Sequence, residues 1–407
     1  MIGPLKNGNF RLLLLGELTY LLGNNVHLVI LAWLALQITG SSLTLGSVLM
    51  AAALPKALFM FLGGTFSDRY SLKIIMVLAN LMRAVIAAVL ALLICLHAIS
   101  VWHLYLSSLL IGVADSLFQP ALMTSVPRLL KQQSVEQGNA FVRGAMQLST
   151  LLGSAPAGLL LTWAGMAASF GMDALIFLSA VLAIWLIAEA AASNIPKTKE
   201  RSGLKVNNSL AIIDEMKAGL SFAWKNPAIR DLFLTVSVIH LSFTGTFIVG
   251  LAAFAEVNLP GGAVAFGLIR SCFGGGALLG SIISGLFKAW RPSILFGSFT
   301  GILAVGLVLF SLTRDLFSSV ILALIMGVIN GIFNVTAFSW LQRSTSGHML
   351  GRMMGLVNSS ALLLAPVSFI LAGAIAEYKP SLVFLIAGIP LSIITGYLLL
   401  TRKIQNT

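Results

Sequence analysis

The chain has 407 residues, of which 58% are hydrophobic and 9% charged, and its mean hydropathy is +0.98. A water-facing surface needs roughly 25–35% charged residues, so the composition excludes a soluble globular protein and indicates an integral membrane one. The formal charge of +12 comes from basic residues scattered singly among apolar runs, without the basic stripe and interleaved aromatics of a nucleic-acid-binding surface. Cys95 and Cys272 both lie inside apolar runs and point to neither a disulfide framework nor a metal site.

In chain order, about twelve apolar spans emerge, each near the ~20 residues that a bilayer core requires. They are predicted at about 10–38, 43–66, 74–96, 102–124, 138–163, 169–191, 229–254, 263–287, 293–313, 316–340, 352–376 and 380–401. The first follows Lys6 and Arg11, is too long for a cleaved signal peptide and lacks a small-x-small cleavage site, so it reads as a retained helix. Connections after even-numbered spans carry Arg69 and Lys73, Arg128 and Lys131, the central loop, Lys288 and Arg291, then Arg343 and Arg352. Connections after odd-numbered spans carry none, or offset the cation, as Asp315 offsets Arg314 and Glu377 offsets Lys379. The positive-inside rule then places both termini in the cytoplasm of a multi-pass protein of the inner (plasma) membrane. The central loop opens with Lys197, Lys199, Arg201 and Lys205 and continues with apolar residues at helical spacing from Leu210 to Trp224. That pattern predicts an amphipathic helix on the anionic inner leaflet, within a linker at 193–228 joining an N-terminal unit at 1–192 to a C-terminal unit at 229–407.

Between the second and third spans stands Gly63-Gly64-Thr65-Phe66-Ser67-Asp68-Arg69-Tyr70-Ser71-Leu72-Lys73, a charged turn between two apolar segments. It resembles the signature loop of the major facilitator superfamily of transporters. The two halves also repeat in parallel. Gly112 with Gly327, Phe118 with Phe333, Arg128 with Arg343 and Gly158 with Gly373 share one offset, and Gly46 with Gly267 and Gly64 with Gly285 share another. The resemblance and the repeat together predict an all-α membrane protein of twelve helices in two pseudo-symmetric six-helix bundles. In the second half Ala289 stands opposite Asp68, so a charge switch at that loop would act on one side only.

A narrower resemblance follows from Asn9-Phe10-Arg11, Leu22-Gly23-Asn24, Pro55-Lys56, Gly112 through Phe118-Gln119-Pro120-Ala121, Pro127-Arg128, Gly138-Asn139-Ala140, Ala157-Gly158 and Gly219-Leu220-Ser221-Phe222. Together these are similar to the drug:proton antiporter branch that includes macrolide efflux and enterobactin-type siderophore export proteins. The chain departs from that branch at Asn24, where an acid is common, at Leu72, where the loop motif has arginine, and at Pro156, displaced within the fifth-span motif. The resemblance implies a secondary active transporter exporting amphipathic small molecules against protons. An importer, a facilitator or a lysolipid flippase on the same fold are the alternatives, and an intramembrane enzyme is a remote one.

Polar groups at membrane depth are costly, on the order of 2.5–3.5 kcal/mol for a charge by insertion scales, and so mark function. On the first span Glu17, Tyr20, Asn24 and His27 fall within about an 80° arc at ~100° per residue. Ser108, Gly112, Asp115 and Gln119 share a face of the fourth, Ser237, His240 and Thr244 of the seventh, and Asn330 and Asn334 of the tenth. The superfamily resemblance implies that these four helices line the central cavity; the competing reading is that the groups glue helices together by weak hydrogen bonds. Asp115 and Glu17 are the candidate proton carriers, with Arg83 a partner for Asp115 and Lys56 a partner for Glu17. Left unpaired, Lys56, Arg83 and Arg270 would bias the cavity toward acid-bearing substrates. His27 and His240 are read as titratable groups or as hydrogen-bonded packing groups.

At the signature loop Gly64, Asp68, Arg69 and Lys73 form a candidate latch, which the resemblance directs at the eleventh helix near Gly351 with Arg128 as a partner. Gly274-Gly275-Gly276 lies inside an apolar span without the Lys-Ser/Thr of a nucleotide loop, so no cofactor is expected. Gly112-Val113-Ala114-Asp115 approaches an aspartyl-protease motif, but no second such motif and no clustered nucleophile or metal ligands accompany it. The expected partners are a small-molecule substrate, protons and membrane lipids, with the chain acting as a monomer.

Overall fold

The computed structural model describes residues 3–130, 134–188, 221, 224–287, 292–345 and 347–405. The predicted central amphipathic helix falls outside these, apart from isolated helical residues at its end. The chain is all helix among the described residues: α1 (Gly8–Thr39), α2 (Ser42–Arg69), α3 (Leu72–Cys95), α4 (Val101–Leu129), α5 (Val135–Trp185), α6 (Pro227–Phe243), α7 (Leu251–Asn258), α8 (Ala263–Ile283), α9 (Pro292–Leu312), α10 (Leu316–Ser344), α11 (Gly347–Tyr378) and α12 (Pro380–Gln405).

Local chemistry sets the ends. The Asn7 side chain accepts from the Asn9 and Phe10 amides at 3.0 and 3.3 Å to start α1, and Gly40 in the left-handed region, φ 62°, stops it. His103 Nδ1 accepts from the Ser100 amide at 3.0 Å at the head of α4, and Asp315 accepts from the Ser318 amide at 2.8 Å at the head of α10. Eleven helical stretches among the described residues are long and apolar enough to cross a bilayer. One of them, Gln137–Trp185, runs 49 residues, or about 70 Å at ~1.5 Å per residue, more than twice a hydrocarbon core. It breaks at Gly165 (φ 81°, ψ 176°), a conformation open to glycine, and so crosses twice. The seventh crossing is α6 and α7 joined through a π-helical turn at Thr246–Gly250. The crossings therefore number twelve among the described residues.

α3 shows how a membrane helix inverts ordinary amphipathicity. Ile74, Leu78, Leu81, Val85, Val89 and Leu92 form an exposed apolar stripe at three- and four-residue spacing, whereas Asn80 and Arg83 are buried on the other side. Glycines then set the helix–helix approaches. A Cβ at Gly112 of α4 would strike the Ala52 carbonyl of α2, and one at Gly327 of α10 would strike the Phe273 carbonyl of α8. Between bundles, Gly46 of α2 meets the Phe369 carbonyl of α11 and Gly267 of α8 meets the Ser154 carbonyl of α5; Gly373 meets Ser42, and Gly158 meets Ala263. In every pair both members are carried from one half to the other by the offsets read in the sequence, so the repeat is a repeat of contacts.

These cross-bundle contacts gather at the end holding the α1–α2 turn. There Glu377 accepts from the Ser41 hydroxyl at 3.1 Å and the Leu43 amide at 3.0 Å, and Trp33 packs against Gly262. The buried apolar residues follow suit: one cluster runs from Val26–Leu36 and Leu45–Leu49 into the second bundle, and a separate one, from Phe10 to Ile187, belongs to the first bundle alone. Toward the end that carries the termini, the Arg143 guanidinium lies 5.1 Å from the Phe338 ring of the opposite bundle.

Candidate functional site

The first four helices bring their polar groups to a single carboxylate. Asp115 of α4 is 7% exposed; its Oδ1 pairs with Arg83 Nη2 of α3 and accepts from the Tyr20 hydroxyl of α1 at 3.4 Å, and its Oδ2 faces Lys56 Nζ of α2 at 3.3 Å. Arg83 also donates to Asn24 Oδ1 at 3.4 Å. Its guanidinium lies over the Tyr20 and Phe177 rings at 4.8 and 5.2 Å, and Tyr20 in turn stacks on Phe118 at 4.0 Å. The arrangement is one acid between two cations, sealed on the Arg83 side and partly exposed on the Lys56 side, whose side chain is 31% exposed. A proton delivered to that carboxylate would leave the buried Arg83 and the partly exposed Lys56 without their shared counter-ion.

The expected Arg83–Asp115 pairing is present, but Lys56 answers Asp115 rather than Glu17. Glu17 is buried at 3% with its Oε2 lacking a hydrogen-bond partner among the described residues. Tyr20, His27 and Ser108, expected to line a cavity, are instead packed inside the first bundle at 2%, 5% and 1% exposure. Tyr20 serves the ion pair; the Ser108 hydroxyl has no partner among the described residues. Asn24, Gln119, His240, Thr244, Asn330 and Asn334 are half-buried, and Asn334 donates to the Asn330 carbonyl and side-chain oxygen, both at 2.9 Å. Thr244 lies where α6 gives way to the π-helical turn. At the predicted latch, Lys73 donates to the Ile187 carbonyl at 2.7 Å and lines a recess with Arg128, Ser125 and Leu13. The backbone is helical through Gly64 and Asp68 to Arg69; their side chains lie outside the described residues.

Two groups escaped the reading of the sequence. His27 is not alone: its Nδ1 lies 2.7 Å from Asp173 Oδ2 of α5, which is fully buried. An acid inside an otherwise apolar span was the available signal. Arg143, exposed and stacked over Phe338, is the second. No group of three or more His, Cys, Asp or Glu residues that could hold a metal occurs among the described residues.

The Major Facilitator Superfamily profile matches residues 13–369. The chain belongs to the Major Facilitator Superfamily. It is a membrane transporter, then, and not an enzyme. The transporter is 24% identical over 390 residues to the multidrug efflux pump Tap of Mycolicibacterium fortuitum, covering 91% of this chain and 90% of that protein. It is 24% identical over 350 residues to macrolide efflux protein A of Streptococcus pyogenes, covering 83% and 82%. Among solved structures, the POT family transporter PepTSo superposes with a TM-score of 0.75 over 98% of this chain and 99% of that one, at 12% identity, which speaks to fold alone.

Proposed function

We propose that this transporter exports amphipathic small molecules, drug- or siderophore-like, in exchange for protons by alternating access. The observation that carries the reading is the Asp115–Arg83–Lys56 node, a titratable group coupled to four helices of one bundle. Efflux relatives spanning most of the chain support the direction. Protonation of Asp115 removes the charge that holds α2, α3 and α4 to α1, so occupancy by a proton biases one packing of the bundle against another. Glu17 is the second proton site. The units 1–192 and 229–407 rock about a pocket lined by Asn24, Gln119, His240, Thr244, Asn330 and Asn334, with both termini in the cytoplasm of the inner membrane. In that orientation the bundles are closed toward the outside, and Asp68 and Arg69, with Gly64, Lys73 and Arg128, form the latch of the opposite state.

Inside-out vesicles test this with an imposed proton gradient and a panel of macrolides, dyes, catecholate siderophores and lysolipids. Uptake driven by an acidic interior and abolished by a protonophore is expected. Uptake that proceeds without any gradient removes the antiport mechanism, and driven movement in the opposite sense makes the protein an importer.

A further inference from the structure

Arg270 stands out because its charge has no answer. It lies in the first half of α8, half-buried, and takes part in none of the ion pairs among the described residues. Its Nη1 donates to the Phe247 carbonyl in the π-helical turn at 3.3 Å, its Nη2 to Asn25 Oδ1 of α1 at 3.4 Å, and its Nε has no partner. Two long bonds to neutral acceptors are weak compensation for a guanidinium at membrane depth. The acids of the second half are committed elsewhere or face out. Asp231 is held by Arg230 and Tyr397, both at 3.3 Å, Asp315 and Glu377 serve the loops, and Glu256 is exposed near the end of α7. In the first half Asp115 already serves two cations, and Asp173 serves His27.

The surroundings point to what completes it. Arg270 bridges the bundles, touching α1 on one side and the seventh crossing on the other. Phe266 lies 5.8 Å from the guanidinium, and Phe247 itself packs on Phe243 and Phe273 at 5.1 and 4.7 Å. A planar cation with free donors beside clustered aromatic rings suits an anionic oxygen pair borne on an aromatic or apolar body.

We propose that Arg270 anchors the anionic group of the substrate, so that the transporter carries aromatic or amphipathic carboxylates and chemically equivalent oxyanions. Asn25 and the Phe247 carbonyl are the placeholders that the substrate's anion displaces. The inference rests on the transport reading above and narrows it to a substrate class.

The test uses the purified full-length transporter in detergent with 2-naphthoate and its neutral counterpart 2-naphthamide, read as a shift in melting temperature across a concentration series. Protection by naphthoate and none by naphthamide is expected, with at least a tenfold loss of naphthoate affinity in Arg270→Gln. Asn25→Asp is the second variant, of nearly unchanged size: it places a carboxylate beside Arg270, and the same tenfold loss is expected with the arginine intact. Equal protection by the two probes, or wild-type naphthoate affinity in Asn25→Asp, overturns the proposal. Gradient-driven uptake of radiolabelled 2-naphthoate, and of the panel named above, by wild-type vesicles is measured alongside. Its absence counts against the transport reading alone; its presence with charge-blind binding removes the anion site alone.

Discussion

Asp115 accepts from Tyr20 and faces Lys56 and Arg83 together, so its removal leaves one cation wholly buried and a second partly so. Asp115→Asn should therefore lower stability by about 3–5 kcal/mol, the range for breaking a buried pair, and abolish proton-driven uptake; thermal unfolding and vesicle uptake measure the two effects. Glu17→Gln should be close to neutral in the same melting assay, because Glu17 Oε2 has no bond to lose, yet should shift the pH profile of uptake. Asp315 lies outside the membrane spans, and hydrogen bonds from the Ser318 side chain and amide hold its carboxyl below the ordinary aspartate value. A depressed folded-state pKa means stabilisation that is full above the unfolded value and lost as pH falls through the folded one. The difference in melting temperature between wild type and Asp315→Ala should accordingly be present at pH 7 and close as pH is lowered through the carboxylate range.

Among elements, the close approaches between bundles belong to glycines on α2 and α11, which face each other, and on α5 and α8, which do likewise. At Gly46 and Gly267 an added Cβ meets backbone carbonyls, which cannot swing aside as a side chain can. Gly46→Leu and Gly267→Leu should prop the α1–α2 end open and stop transport, seen as new thiol reactivity of a cysteine introduced at Ser41. Gly144→Ala on α5 is the matched control, since nothing lies within 4 Å of its Cβ position. It should leave transport unchanged and, by removing a helical glycine, be neutral or stabilising by roughly 0.5–1 kcal/mol.

The two bundles share one apolar core toward the α1–α2 end and separate toward the termini. In the orientation proposed above, that would be a carrier closed to the outside. A fluorescent-protein fusion after Thr407 should fluoresce and an alkaline-phosphatase fusion at the same point should be inactive. The reverse pair of results would invert the orientation.

Much of this was legible in the chain before any coordinates. A bilayer demands ~20 apolar residues per crossing and internal backbone hydrogen bonding, so hydropathy alone marks the spans. The offsets linking Gly112 to Gly327 and Gly46 to Gly267 already carried the duplication, because a glycine needed for close approach in one half is needed at the same contact in the other. Partners were another matter. Helical periodicity places Lys56, Glu17, Asp115 and His27 on faces, but says nothing about which face of a neighbouring helix lies opposite, since rotation and tilt are set by packing. Lys56 therefore went to Asp115 and not to Glu17, His27 to Asp173, and Arg270 to two neutral oxygens. Composition and period are local and one-dimensional. Which charges meet is fixed by how twelve helices turn against one another.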